Sequence, residues 1–205
     1  VLAVLVGAGF VAGVVNTLAG GGSFLTVAAL YFAGLPIDVA NGTNRLGVLL
    51  QSGISADQFR RADKLDAATV WWLVPANCLG ALIGAWLSLT IEAELLTRIV
   101  GVAMLAMLPV ISLRPKRWLE GRDSPGRPGL LAHAGIFCVG LYGGFLQAGV
   151  GIFLLSALVL LVGQDLVRAN ASKVLLVFIF TLPALAVFLW DGAVDWGAGL
   201  AVAVG

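Results

Sequence analysis

The chain carries the same phrase twice. The first copy begins Ala19-Gly20-Gly21-Gly22-Ser23-Phe24-Leu25 and reaches Ala40-Asn41-Gly42-Thr43-Asn44. The second begins Ala148-Gly149-Val150-Gly151-Ile152-Phe153-Leu154 and reaches Ala169-Asn170-Ala171-Ser172-Lys173. They align without a gap at an offset of 129 positions (148 minus 19), which also sets Gly34 on Gly163, Leu46 on Leu175 and Val48 on Val177. Both copies lie in long apolar stretches. A duplicated, glycine-interrupted, polar-tipped element inside hydrophobic sequence points to an all-α integral membrane protein built from two related halves.

The placement of charge leads to the same class. The chain is 60% hydrophobic and 11% charged, against about 45–50% and about 25% in soluble domains. No charged residue precedes Asp38, and none falls between Asp66 and Glu92, Arg98 and Arg114, Arg127 and Asp165, or Lys173 and Asp191. Several of these gaps exceed the roughly 18 apolar residues of a spanning helix. A net charge of +1 gives no reason to expect a nucleic-acid partner. Cys78 and Cys138 read as small packing residues within apolar helices rather than as a disulfide or metal site. The single His133 reads as interfacial, and no carboxylate pair lies in a span. Neither catalysis nor a cofactor is expected.

The first helix is expected over Leu2 to Leu18, without the basic flank of a signal peptide, and is broken at Gly20–Gly22. A short helix from Ser23 to about Ala33 is stopped by Gly34-Leu35-Pro36. The next is expected to begin near Asn41 or Thr43, both good N-caps, and to run to about Ala56. These two pieces are short for a span of about 20 residues, which leaves two short spans or one re-entrant hairpin. A polar loop, Asp57 to Asp66, precedes spans from Ala67 to Leu89 and Leu95 to Leu113. After the Arg114–Gly129 loop come a helix to Gln147, a break at Gly149–Gly151, a short helix to Val162, a helix from Asn170 to Trp190, and another from Trp196. The first repeat thus covers 1–113, a basic loop 114–129, and the second repeat 130–205. Adding the offset to the end of the first repeat places the end of the second about 35–40 residues past Gly205.

Basic residues set the orientation. Arg114, Lys116, Arg117, Arg122 and Arg127 make their loop cytoplasmic, and Arg60, Arg61 and Lys64 put the earlier loop on the same side, two spans away. Glu92 and Glu94 fall outside. The counterpart of the Arg60–Lys64 loop in the second half is the acidic Asp191–Asp195, which span counting also places outside. The halves therefore read as an inverted repeat. Trp71, Trp72, Trp118, Trp190 and Trp196 fall near the expected interfaces.

A helix that restarts after a break presents free amides with partial positive charge, which suit an anion. Four such starts are expected: after Gly22, near Asn41–Thr43, after Gly151, and near Asn170–Ser172. Arg45 and Lys173 each precede a long uncharged run, and a cation at membrane depth usually faces a cavity or a partner; snorkelling to the interface is the alternative. Asn16, Thr17, Ser23, Asn41, Thr43, Asn44, Gln147, Asn170 and Ser172 are candidates to complete a site for a small anion, with interhelical hydrogen bonds as the alternative for each. Gly20, Gly21, Gly22, Gly149 and Gly151 either expose backbone to that site or allow close packing. Oligomeric state is not legible.

The run Ala12-Gly13-Val14-Val15-Asn16-Thr17-Leu18-Ala19-Gly20-Gly21-Gly22-Ser23, with Gly34-Leu35-Pro36 and Ala40-Asn41-Gly42-Thr43-Asn44, resembles the TauE/SafE family of sulfite exporters, or TSUP permeases. Gly140-Leu141-Tyr142-Gly143-Gly144-Phe145 through Gly149-Val150-Gly151 is similar to that family's second repeat. The resemblance implies a multi-pass permease of the bacterial inner membrane that moves sulfite, sulfoacetate or related organic acids, with protons as the coupling ion. It also implies seven or eight spans and a longer C-terminus. A passive anion channel and a non-transporting membrane scaffold are the competing expectations.

Overall fold

In a computed structural model, residues 1–18, 20–112 and 128–205 are described. Within them the chain is helical, with no strand. The helices are α1 (Leu2–Leu18), α2 (Ser23–Phe32), α3 (Ile37–Arg61), α4 (Ala67–Thr90), α5 (Ala93–Ser112), α6 (Leu130–Phe145), α7 (Val150–Ala157, continued by a π turn over Leu158–Val162), α8 (Leu166–Trp190) and α9 (Trp196–Val204). The five basic residues expected in the 114–129 loop, and Trp118, lie outside the described residues.

Two helices, α4 with 24 residues and α8 with 25, are long and apolar enough to cross a membrane by length and composition. At 1.5 Å per residue they reach about 36–38 Å, more than the roughly 30 Å hydrocarbon layer. Trp71, Trp72, Trp190 and Trp196 are all exposed, as are Leu2, Phe10 and Leu18 along α1. An apolar exterior of this kind suits lipid rather than water.

The long polar-tipped helices start earlier than the sequence suggests. Neither Asn41 nor Thr43 caps a helix; both lie inside α3, which begins at Ile37 behind Pro36. Proline lacks an amide hydrogen and suits a helix start, and Asp38 in the first turn complements the positive end of the dipole. Asn170 likewise lies inside α8. The true cap is Asp165, whose carboxylate accepts from the amides of Val167 and Arg168 at 3.0 Å each. At its far end α3 continues to Arg61, so the connecting loop starts at Ala62 rather than Asp57. With 25 residues α3 is longer than the short piece expected, whereas α2 has 10 and packs on it.

The duplicated sequence has duplicated local structure. Adding 129 takes Ile37–Arg61 of α3 onto Leu166–Trp190 of α8, and the start of α4 at Ala67 onto the start of α9 at Trp196. The N-caps match as well: Asp66 accepts from the Thr69 amide and Asp195 from the Ala198 amide. Left-handed backbone recurs in register at Gly20 and Gly149, at Gly34 and Gly163, and at Asp63 and Gly192.

The halves exchange a helix. From the first half, α4 packs against α6 and α8, and α7 joins them in a core that includes Leu73, Ala81, Ile136, Leu154 and Phe180. From the second, α9 packs on α1 and α3, where Leu5, Leu30, Ala40 and Val202 form a smaller core. The α4–α6 contact is built from small residues four apart. A Cβ on Gly80 or Gly84 would fall on α6 main chain, and one on Gly140 or Gly144 would fall on α4 main chain. Such stripes let helices approach closely where no hydrophobic force drives them together.

Candidate functional site

Two interruptions organise the interior. One separates α1 from α2 over Gly20–Gly22, and the other separates α6 from α7 over Leu146–Gly149. They touch each other. Gly20 has φ +89°, and a Cβ on it would overlap the main chain of Gly151; a Cβ on Gly151 would lie 2.5 Å from the Gly20 Cα. Two glycines are needed because backbone meets backbone. Gly22 packs in the same way against Ala12 main chain, and Gly21 is buried beside it. Gly149 takes φ +73° as the residue before α7. Asn16 spans the first break: its Oδ1 accepts the Ser23 amide at 3.2 Å and its Nδ2 donates to Ser23 Oγ at 3.2 Å.

A helix that ends inside the protein leaves carbonyls without partners and a partial negative charge. α6 ends this way and α1 ends half-buried at the edge of a cavity, and each end is closed by the opposite half. At the end of α6, Arg45 of α3 donates to the Gly143 carbonyl at 3.3 Å and to the Gly144 carbonyl at 2.5 Å. Asn41 of α3 donates to the Phe145 carbonyl at 2.7 Å and to Ser88 Oγ at 3.1 Å. At the end of α1, Lys173 of α8 donates to the carbonyls of Asn16 at 2.9 Å and Thr17 at 3.3 Å. Asn170 of α8 donates to the Thr17 carbonyl at 3.0 Å. Asn41 and Asn170 are counterparts at the 129-residue offset, so the pattern is reciprocal. Arg45 is 0% exposed and Lys173 1%. The guanidinium of Arg45 also lies 4.4 Å from the centre of the Phe188 ring, a favourable cation–π arrangement. Among the described residues, the ion pairs are on exposed side chains and involve neither of these two cations.

The geometry redraws the expected site. Because Asn41, Thr43, Asn170 and Ser172 lie inside helices, they mark no helix start, and only the starts of α2 and α7 remain of the four. Arg45 and Lys173 do not snorkel to an interface; each is buried against a helix C-terminus. Asn16, Ser23, Asn170 and Lys173 gather at the α1–α2 break. Asn44 adjoins them through its Oδ1, which accepts the Thr26 hydroxyl. Asn41 and Arg45 gather at the end of α6. Gln147, with φ +56°, donates to Thr181 Oγ1 at 2.8 Å. Thr43 does structural duty elsewhere, accepting the Asp195 amide at 2.9 Å beside the start of α9. The Ser172 hydroxyl and the Asn44 Nδ2 are buried without a hydrogen-bond partner.

A cavity of about 590 Å³ opens between α1, α2, α3 and α9. One wall is polar: Asn16, Thr17, Asn44, Gln51, Ser55 and Gln58. The other is apolar and includes Phe10, Val14, Ile54 and Val202. Gln51 Nε2 donates to Thr17 Oγ1 at 3.0 Å, and the Thr17 and Ser55 hydroxyls are 3.2 Å apart. Among the described residues, no Asp or Glu lines the cavity. A second cavity of about 20 Å³ lies where the breaks cross, between Gly20, Ser52, Gly151 and Lys173, and shares Asn16, Val48 and Gln51 with the first.

Gln51, Ser55, Gln58 and Thr26 are the residues that sequence reasoning missed. The available signal was spacing: Asn41, Asn44, Val48, Gln51, Ser55 and Gln58 recur at steps of three and four, one face of a helix. The second half lacks this stripe. At the offset positions α8 carries Phe180, Ala184 and Val187, which belong to the main core. The cavity therefore belongs to one side of a duplicated frame.

An apolar helical chain with buried cations, helix breaks closed from the opposite half and an open cavity that has one polar wall is organised as a membrane transporter. The chain belongs to the sulfite exporter TauE/SafE family, whose sequence profile matches residues 5–205. It is 29% identical over 204 residues to the probable membrane transporter protein ORF9 of Sinorhizobium sp, covering 100% of this chain and 78% of that one. It is 31% identical over 206 residues to the probable membrane transporter protein YfcA of Escherichia coli (strain K12), covering 100% of this chain and 76% of that one. A probable membrane transporter protein of Haemophilus influenzae is 29% identical over 206 residues, with 80% of that protein covered. No solved structure matches the chain. The protein is a membrane transporter and not an enzyme.

Proposed function

We propose that the protein carries small sulfur-containing anions, sulfite or sulfoacetate among them, across a bacterial inner membrane as a multi-pass secondary transporter. Transport proceeds by alternating access between two inverted repeats, with protons as the coupling ion. The observation that carries this reading is the 590 Å³ cavity whose polar wall offers amides and hydroxyls and, among the described residues, no Asp or Glu. An anion leaving water must recover hydrogen bonds from donors. The unpartnered Nδ2 of Asn44 and the side chains of Gln51 and Thr17 can supply them. The inverted arrangement is supported by charge: Arg60 and Arg61 close α3 and Lys64 follows it, whereas Asp191 and Asp195 follow α8. Matching halves set around a midplane site are the usual frame for alternating access.

Gln51→Leu removes an amide from the cavity wall while keeping its bulk. A hydrogen bond to a charged ligand contributes about 1.5–3 kcal/mol, so the apparent affinity for the anion should fall by about 10- to 100-fold with little change in thermal stability. Influx of radiolabelled sulfite and sulfoacetate into proteoliposomes checks this. Driving the flux with an imposed pH gradient separates a coupled carrier from a passive channel, which ignores that gradient at fixed voltage. Wild-type vesicles that move neither anion under any gradient would overturn the reading.

A further inference from the structure

The two buried cations look alike in sequence and differ in surroundings. Arg45 donates through its two terminal nitrogens to two carbonyls and lies over the Phe188 ring; its Nε–H is buried without a partner, but the side chain lines neither cavity. Lys173 has three N–H donors. Two are accepted by the Asn16 and Thr17 carbonyls, a third has no assigned acceptor, and the side chain lines the 20 Å³ cavity. That volume admits a single water-sized atom, since roughly 10–15 Å³ suffices for one. Gln51 and Asn16 stand in the walls of both cavities, so the small space is an inner recess of the large one. Among the described residues no Asp or Glu lines either cavity, and a buried ammonium closed only by neutral carbonyls is an incompletely balanced charge. A charged acceptor binds such a group more strongly than a carbonyl does.

We propose that this recess seats one negatively charged atom against Lys173: an oxygen of the transported oxyanion, or a resident halide of similar size. The first alternative rests on the transport reading above; the second does not. Ser52 forms a wall of the recess but not of the large cavity, and its hydroxyl is occupied by the Val48 carbonyl at 2.5 Å. Ser52→Thr keeps that hydroxyl and adds one methyl group to a space that holds a single atom. Ser52→Ala leaves the space open.

The test is calorimetric titration of the full-length protein in nanodiscs with sodium sulfite, sodium sulfoacetate and sodium chloride, alongside proteoliposome flux and melting temperature. The expected result is that Ser52→Thr weakens the Kd of at least one of these anions by about tenfold or more, that Ser52→Ala stays within about twofold, and that both variants melt like the wild type. Lys173→Met should abolish the same binding; should it fail to fold, the Ser52 pair still decides. Sulfite or sulfoacetate flux with an unchanged Kd in Ser52→Thr overturns the recess and leaves the transport reading standing. Chloride binding that Ser52→Thr weakens, in a protein that moves no sulfur anion, overturns the transport reading and keeps the recess. No binding of any of the three anions to the wild type overturns the recess.

Discussion

Arg45→Met should melt far below the wild type in detergent, whatever anion is present. The substitution keeps most of the side-chain volume and removes both donors to the Gly143 and Gly144 carbonyls. Those carbonyls end α6 inside the protein, where no water replaces the lost partner, and an unsatisfied buried acceptor costs about 1–3 kcal/mol. The contact with the Phe188 ring is lost as well. Two such acceptors place the destabilisation at about 2–6 kcal/mol and the Tm fall on the order of 10 °C. Arg45→Lys keeps the charge but not the fork that reaches two carbonyls, so its loss should be smaller. Thermal unfolding followed by circular dichroism checks both. If Arg45→Met melts like the wild type, the guanidinium does not hold the end of α6.

Gly20→Val should be comparably damaging for a different reason. At φ +89° a side chain is strained by about 1–2 kcal/mol, and a β-branched one suits that region least. Its Cβ would also meet the Gly151 main chain. Backbone cannot rotate aside as a side chain can, so an overpacking cost of about 1–3 kcal/mol adds to the strain. Gly34→Ala is the control. Gly34 has φ +100° but nothing within 4 Å of an added Cβ, so it should show only the conformational part. A Gly20→Val melting curve no worse than that of Gly34→Ala would mean that the two breaks do not bear on each other.

Much of the frame was legible because it depends on local pattern. The glycine-interrupted phrase and the uncharged runs announce apolar helices, and the expected first helix, about Leu2 to Leu18, agrees with α1. The starts of α3 and α8 were misplaced because Asn41, Thr43 and Asn170 have the chemistry of caps. Their side chains are instead drawn to groups far away in sequence: the Phe145 carbonyl, the Asp195 amide and the Thr17 carbonyl. Pro36 and Asp165 were the quieter and correct signals. With α3 cut short, its polar face could not be followed from Asn44 through Gln51 to Gln58, and the cavity wall went unseen.

The cations show the same limit. A charge in an apolar run needs a partner, and the sequence offers no carboxylate nearby, so an exogenous anion was the natural inference. The partners at hand are the carbonyl ends of α1 and α6, each supplied by the other half of the chain. Helix termini acquire their charge only from the folded backbone, and which terminus meets which cation depends on packing across the duplication. The reciprocal closure explains why each half carries a buried cation. It leaves the stretch of the α3 stripe from Gln51 to Gln58, present in one half alone, as polar surface that closes neither helix end.

Thiol accessibility along that stripe tests the account most directly. With Cys78 and Cys138 replaced by alanine, Gln51→Cys and Ser55→Cys should react with a charged, membrane-impermeant thiol reagent, and sulfite or sulfoacetate should slow that reaction. Phe180→Cys and Ala184→Cys, at the offset positions in α8, should stay unreactive. Labelling of the α8 cysteines with protection by the same anions, and none at positions 51 and 55, would contradict a path along α3.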